Sequence, residues 1–214
     1  MTARTIYFAG DLFDHKDITG NLMLASAIEE VSEQRYKVIL PQDSESNNLR
    51  NVTEIRDRDL EMLFSCDCIV ANFDGCELDS GTVVEFCFAK FTGLPAVLLR
   101  TDFRRGGDNG ADPWNLMCSG YPRSSVLLIS AMEQYHTCKC ASPTDTAWAM
   151  YCDTAQKVVE KLDALFDEKP VLSPQEAENA MLLAVKSAGG TLEEIFTPSR
   201  ISQLVSEKTQ KGVY

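Results

Sequence analysis

The amino-acid sequence predicts an α/β fold, a doubly wound parallel sheet of five strands with a helical extension at its C-terminus. Two observations carry this. Short apolar runs of strand length alternate with helical patterns from the start of the chain, and the connections between them are short, as βαβ units require. Right-handed crossovers then cover both faces of one sheet.

Thr5–Ala9 (TIYFA) reads as the first, buried strand, and a loop follows from Gly10 to Lys16. Ile18–Gln34 carries Leu22, Leu24, Ala25, Ile28 and Val31 at helical spacing. Lys37–Leu40 is the second strand, stopped by Pro41, and Val52–Phe64 places Val52, Ile55, Leu60, Leu63 and Phe64 on one helical stripe. Cys68–Phe73 is the third strand, Gly81–Phe91 a helix ended by Gly93, and Ala96–Leu99 the fourth strand. Arg104–Asp112 (RRGGDNGAD), with three glycines and no apolar pattern, is the most loop-like internal stretch. Val126–Ile129 is the fifth strand and Thr144–Phe166 a long amphipathic helix. Two prolines in Glu168–Pro174 mark a boundary, so residues 1–169 form one domain and 170–214 the extension. The extension reads as two helices, Gln175–Ala188 and Leu192–Gln210, parted by Gly189-Gly190, with Pro198 interrupting the second.

Composition narrows the function. A net charge of −12 disfavours binding DNA or RNA polymers and anionic membranes, both of which need clustered Lys and Arg. It suits a neutral or cationic small substrate. The N-terminus has neither a signal-peptide pattern nor a membrane span. The eight cysteines are therefore expected as reduced thiols in a cytoplasmic protein. Cys66-x-Cys68 and Cys138-x-Cys140 are too closely spaced for a zinc ribbon, and His15 and His136 stand alone, so no metal or other cofactor is expected.

In open α/β sheets, ligands bind beyond the carboxyl ends of the strands. Acidic residues collect there: Gly10-Asp11 after the first strand, Pro41-Gln42-Asp43 after the second, and Asp74 with Leu78-Asp79-Ser80-Gly81 after the third. Asp79 or Ser80 can cap the next helix. That helix carries Glu85 among Thr82, Val83, Val84, Phe86, Cys87, Phe88 and Ala89. A lone charge on so apolar a helix must find partners or serve a site. A solvent-edge Glu85 and a purely capping Asp79 are the plainer alternatives, and patterning leaves both open. Asp59 lies in Arg56-Asp57-Arg58-Asp59, a sequence more typical of a solvated helix face, and Tyr7 in a strand is usually core. An acidic site without histidine points to glycosyl chemistry, in which one carboxylate attacks or stabilises C1′ and another serves the leaving group. There is no G-x-G-x-x-G after the first strand, no Walker A loop and no G-x-S-x-G elbow.

Thr5-Ile6-Tyr7-Phe8-Ala9-Gly10, Asp59-Leu60, Asp79-Ser80-Gly81-Thr82-Val83-Val84-Glu85 and Trp114-Asn115-Leu116-Met117 together resemble the nucleoside 2-deoxyribosyltransferases, in order over about residues 4–130. The D-x-G-x-x-x-E element is the specific part. The resemblance implies a flavodoxin-like sheet and exchange of the base of a 2′-deoxyribonucleoside with a free purine or pyrimidine through a covalent deoxyribosyl-enzyme. On that basis Glu85 is the nucleophile, Asp79 binds the sugar hydroxyls, Asp59 contacts the base and assists its protonation, and Tyr7 positions the nucleophile. Gly10, Asp11, Phe13, Asp43 and Gly81 belong to the implied substrate-binding set. Asn115 and Met117 align with residues that a neighbouring subunit lends to the sugar's 5′ side, which implies a homo-oligomer. Gly212-Val213-Tyr214 resembles the family's usual ending, so Tyr214 is expected to reach a site.

A related branch hydrolyses deoxynucleoside 5′-monophosphates and places Ser and Arg in the first loop, where this chain has Asp11-Leu12-Phe13. Asp11 and Asp79 would repel a phosphate by about 1 kcal/mol or more at surface dielectric. Free nucleosides are therefore the favoured substrates, with a monophosphate hydrolase as one alternative and a nucleotide-sensing module without turnover as the other. Leu12 stands where several members have Trp over the base, so base preference does not transfer.

Overall fold

The computed structural model describes residues 2–43, 51–104 and 113–214. Five strands, β1 (Arg4–Ala9), β2 (Tyr36–Ile39), β3 (Cys68–Asn72), β4 (Ala96–Arg100) and β5 (Ser124–Leu128), form one sheet in the order β2-β1-β3-β4-β5. Every neighbouring pair is parallel. This is the flavodoxin-like order, with its topological switch between β1 and β3. Of the Arg104–Asp112 stretch, residues 105–112 lie outside the described residues.

Strand periodicity decides which side chains meet which helices. Ile6 and Phe8 of β1, Cys68 and Val70 of β3, and Val97 and Leu99 of β4 join a core with α1 (His15–Val31) and α5 (Pro143–Asp167). Tyr7 and Ala9, Ile69 and Ala71, and Ala96 and Leu98 face the other way, toward α2 (Val52–Ser65) and α3 (Ser80–Phe91).

Helix ends follow local chemistry. The first helix begins three residues earlier than its apolar pattern, because Asp14 caps it, accepting from the Lys16 and Asp17 amides at 2.6 and 3.0 Å. It ends at Val31 because Glu33 and Gln34 adopt left-handed φ values of 52° and 61°. The sequence pattern missed α4 (Ala131–Thr137), a two-turn helix too short to show a period but capped by Ser130.

The extension forms α6 (Pro174–Ala188), α7 (Leu192–Ile195) and α8 (Pro198–Gln210), with Pro198 opening α8. Its residues Met181, Val185, Leu192, Phe196, Ile201 and Val205 share one core with Tyr7, Leu63 and Phe64. Polar anchors register it: buried Lys208 donates to the Cys66 carbonyl, and Lys211 pairs with Asp67 at 2.8 Å. Asp57, which sequence patterning assigned to a solvated face, is 1% exposed. It accepts from the Thr191 amide (2.6 Å) and hydroxyl (3.0 Å) and pairs with Arg56 at 2.5 Å. The reason is spacing: position 57 lies one turn before Leu60 on the stripe that α2 buries.

Candidate active site

Tyr7, Asp59 and Glu85 come from three different elements and converge on the α2–α3 side of the sheet, toward the carboxyl end of β1. Thr82, Phe86 and Ala89 form the buried stripe of α3, and Glu85, three residues after Thr82 and four before Ala89, lies along its margin. The Tyr7 hydroxyl donates to Glu85 Oε1 at 2.5 Å. Tyr7 itself is fully buried. Glu85 therefore does not point to the solvent edge. Burial, followed by the negative charges of Asp59 and Asp79, pushes its carboxyl up to about 7, against the opposing pull of the Tyr7 hydrogen bond. The Tyr7 phenol is held well above its ordinary range by burial, then by Glu85 and Asp59. Asp59 is half-buried and close enough to act on both.

Asp79 is a cap and a neighbour of the site at once. Its Oδ2 accepts from the Thr82 amide at 2.6 Å and hydroxyl at 2.9 Å, opening α3, while its charge is felt at Glu85 and Asp11. A Cβ on Gly81 would stand 3.0 Å from Asp79 Oδ2, close enough that the capping carboxylate would have to shift by a few tenths of an ångström. A Cβ on Gly10 would press on Asn72 Cβ at 3.2 Å, so the turn out of β1 passes close to β3.

Asp11 follows that turn, its backbone carbonyl held by Asn21 Nδ2 at 2.9 Å. Its carboxyl is raised by partial burial and then by Asp79, Asp17, Asp74 and Asp14, so the first loop sits in a negative field. Phe13 is 77% exposed, and Asp43 is the exposed end of a 3-10 turn after β2. Neither is hydrogen-bonded to Tyr7 or Glu85. Asp74, left without a role by sequence patterning, accepts from the Thr101 amide and hydroxyl and the Asp102 amide at 2.6–2.7 Å. Buried Arg100 donates to the Phe73, Gly75 and Arg104 carbonyls, fixing the chain that leads to Asp79. No spacing signal announces this pairing, because the loops that follow β3 and β4 meet only once the two strands are side by side.

Asn115 and Met117 are exposed and line a cavity of about 650 Å³ with Leu78, Ser80 and Val84, whose walls include none of Tyr7, Asp59 and Glu85. The structure does not bring them to their own chain's carboxylates. Tyr214 does not join these carboxylates within its own chain. Its hydroxyl donates to the Thr92 carbonyl at 2.8 Å, after the end of α3, and Arg123 holds the Gly212 and Val213 carbonyls. That is the amino end of the strands, opposite the carboxylates. The longer tail reaches the bottom of the sheet and buries the terminal aromatic there.

Among the described residues, no group of three or more His, Cys, Asp and Glu could hold a metal ion, and all eight cysteines are unpaired. No helix among them is long and apolar enough to cross a membrane.

Comparison with known proteins gives the arrangement a relative. A family model described as nucleoside 2-deoxyribosyltransferase matches residues 6–117, a span holding Tyr7, Asp59, Asp79 and Glu85. A solved structure from Enterococcus faecalis V583, described only as a conserved protein, is 26% identical, with a TM-score of 0.52 over 62% of this chain and 94% of that one. A 2-desoxiribosyltransferase from Leishmania mexicana is 23% identical, covering 57% of this chain and 89% of its own, with a TM-score of 0.46. A 2-deoxyribosyltransferase from Bacillus psychrosaccharolyticus is 18% identical, covering 55% and 81%, with a TM-score of 0.43. No curated protein matches the chain.

Proposed function

Since the chain belongs to the nucleoside 2-deoxyribosyltransferase family, we propose that it exchanges the base of a 2′-deoxyribonucleoside with a free purine or pyrimidine through a deoxyribosyl ester on Glu85. The observation that carries this reading is the Tyr7–Glu85 pair flanked by Asp59 and Asp79. Tyr7 holds Oε1 and leaves Oε2 to attack C1′. The attack breaks the N-glycosidic bond, and Asp59 delivers the proton that lets the base depart neutral. The incoming base then displaces Glu85 from the opposite face, so two inversions keep the β configuration.

The negative field has a use in this scheme. Positive charge develops on the sugar as the bond to the base breaks, and carboxylates that destabilise one another in the empty site stabilise that charge. Asp79 Oδ2 is committed to Thr82, which leaves Oδ1 for a sugar hydroxyl.

A free nucleoside fits better than a 5′-monophosphate. A helix N-terminus beside the first loop would be the natural phosphate site, but Asp14 already occupies that of α1 with its own carboxylate. Asp11 and Asp17 add further negative charge around it.

A homo-oligomer in the cytoplasm completes the reading. Val84, Phe91, Leu116 and Met117, each more than half exposed, give the outer side of α3 and its surroundings an apolar character suited to a second copy. Asn115 and Met117 would then serve the neighbour's site. Mixing Glu85→Ala protein with an Asn115→Ala/Met117→Ala double variant should recover part of the exchange activity that each lacks. Mixtures no more active than their parents after subunit exchange would refute the shared site.

The direct test incubates the protein with deoxyinosine and adenine and follows deoxyadenosine. Exchange should occur and should fall by at least about 10³-fold in Glu85→Ala. Release of hypoxanthine and deoxyribose without exchange would make the protein a hydrolase. Binding without conversion would make it a sensor.

A further inference from the structure

On the α1–α5 face of the sheet, away from Glu85, lies a second cavity of about 400 Å³. Phe8, Leu24 and Leu99 line it from the sheet and α1, Met150 and Tyr151 from α5, and Gln134 from α4. Tyr7, Asp59, Asp79 and Glu85 do not line it. Its volume is that of a small-ligand site, and its walls mix apolar side chains with polar and charged ones.

Those polar groups define a ligand. Gln134 is 7% exposed, and its Nε2 faces three acceptors: the Met150 carbonyl (3.1 Å), Asp153 Oδ2 (2.8 Å) and Thr154 Oγ1 (2.8 Å). These fix the amide's orientation and leave Oε1 with no partner among the described residues, in a position not sealed from solvent. Asn72 uses Oδ1 to accept from the Asp74 amide at 3.3 Å, which leaves its Nδ2 donor open. The Tyr151 hydroxyl has no partner among the described residues either and stands over Gly20, whose missing Cβ would lie 3.5 Å from it. The walls therefore offer an acceptor, a donor and a hydroxyl that can act as either, set between an aromatic ring and aliphatic side chains.

Charge adds a constraint. The Asp74 carboxylate is consumed by Thr101 and Asp102, and Lys16 is outnumbered by Asp11 and Asp17 along the wall. Nothing there would favour an anion. We infer that this cavity binds an uncharged planar heterocycle bearing both an N–H donor and a carbonyl or ring-nitrogen acceptor, the chemistry of a free nucleobase, at a site separate from Glu85. The assignment goes beyond the transferase reading and stands without it, since it requires no turnover.

Calorimetric titration with hypoxanthine tests it, using the full chain and no nucleoside. Ala147, an exposed α5 residue at the cavity, is changed to Trp to fill the space, and thermal melts confirm that the variant folds. The number of hypoxanthine molecules bound per chain should fall by one in Ala147→Trp, whether or not the protein exchanges bases. Equal stoichiometry in the two proteins, or no binding to the unaltered protein at millimolar hypoxanthine, would overturn the site. Indole, of similar shape but without the acceptor, should compete for this site at least about tenfold more weakly, in line with an unpaired buried amide. Equal competition by indole would overturn the nucleobase class.

Discussion

Glu85 must be ionised to attack carbon, yet burial and two neighbouring carboxylates hold its proton up to about 7. Because the attacking form is the deprotonated one, kcat/KM for base exchange should fall tenfold per pH unit as pH drops below about 7, and level off above it. The Tyr7 hydrogen bond is the one influence lowering that value, so Tyr7→Phe should move the acidic limb to higher pH as well as reduce the plateau by about tenfold or more. A pH–rate profile of both proteins decides this. A limb near the ordinary carboxylate range, or one unmoved in Tyr7→Phe, would count against Glu85 as the group that titrates. At this scale the sequence revealed that Glu85 was anomalous, a charge on an apolar helix. Its partner came from the family resemblance alone and from no local pattern, because Tyr7 and Glu85 are 78 positions apart and a tyrosine in a buried strand is usually core.

Two glycines in succession join α6 to α7, and they are not equivalent. Both have φ near +65°, but a Cβ on Gly190 would stand 2.1 Å from Asp57 Oδ2, whereas one on Gly189 would meet nothing within 4 Å. Gly189→Ala should cost about 2 kcal/mol, since φ 65° with ψ −143° is backbone that in practice only glycine adopts. Gly190→Ala should cost at least about 2 kcal/mol more, since it forces Asp57 off the Thr191 amide and strands a buried carboxylate. Denaturant unfolding of the two variants checks the difference, and equal losses would show that Asp57 does not depend on this close approach. The elements themselves were largely readable: all five strands and the long helices follow from apolar runs and 3.6-residue periodicity. Their ends depended on caps such as Asp14 and Ser130. The buried role of Asp57 was hidden, because Arg56-Asp57-Arg58-Asp59 looks polar until the tail is laid over it.

Across the whole molecule, the tail closes the amino end of the sheet while the carboxylates gather at the other. Arg123, 4% exposed, donates to the Leu165, Gly212 and Val213 carbonyls. Deleting residues 212–214 would strip two of those acceptors from a buried guanidinium and uncover apolar surface, at a cost of about 3 kcal/mol or more. The melting temperature should drop by roughly 10 °C. Exchange kinetics per folded molecule should stay unchanged, because Tyr214 lies far from Glu85. An unchanged melting temperature with a raised KM would instead place the chain end in a neighbour's site.

The sequence by itself determined the α/β class, the strands and helices, and the acidic character of the site, because these depend on local periodicity and on residue chemistry. Only the tertiary structure decided which carboxylate is raised, where Asp57 and Tyr214 go, and that a second cavity stands behind the sheet. Those outcomes depend on burial and on distances between residues remote in the chain, which no local pattern records.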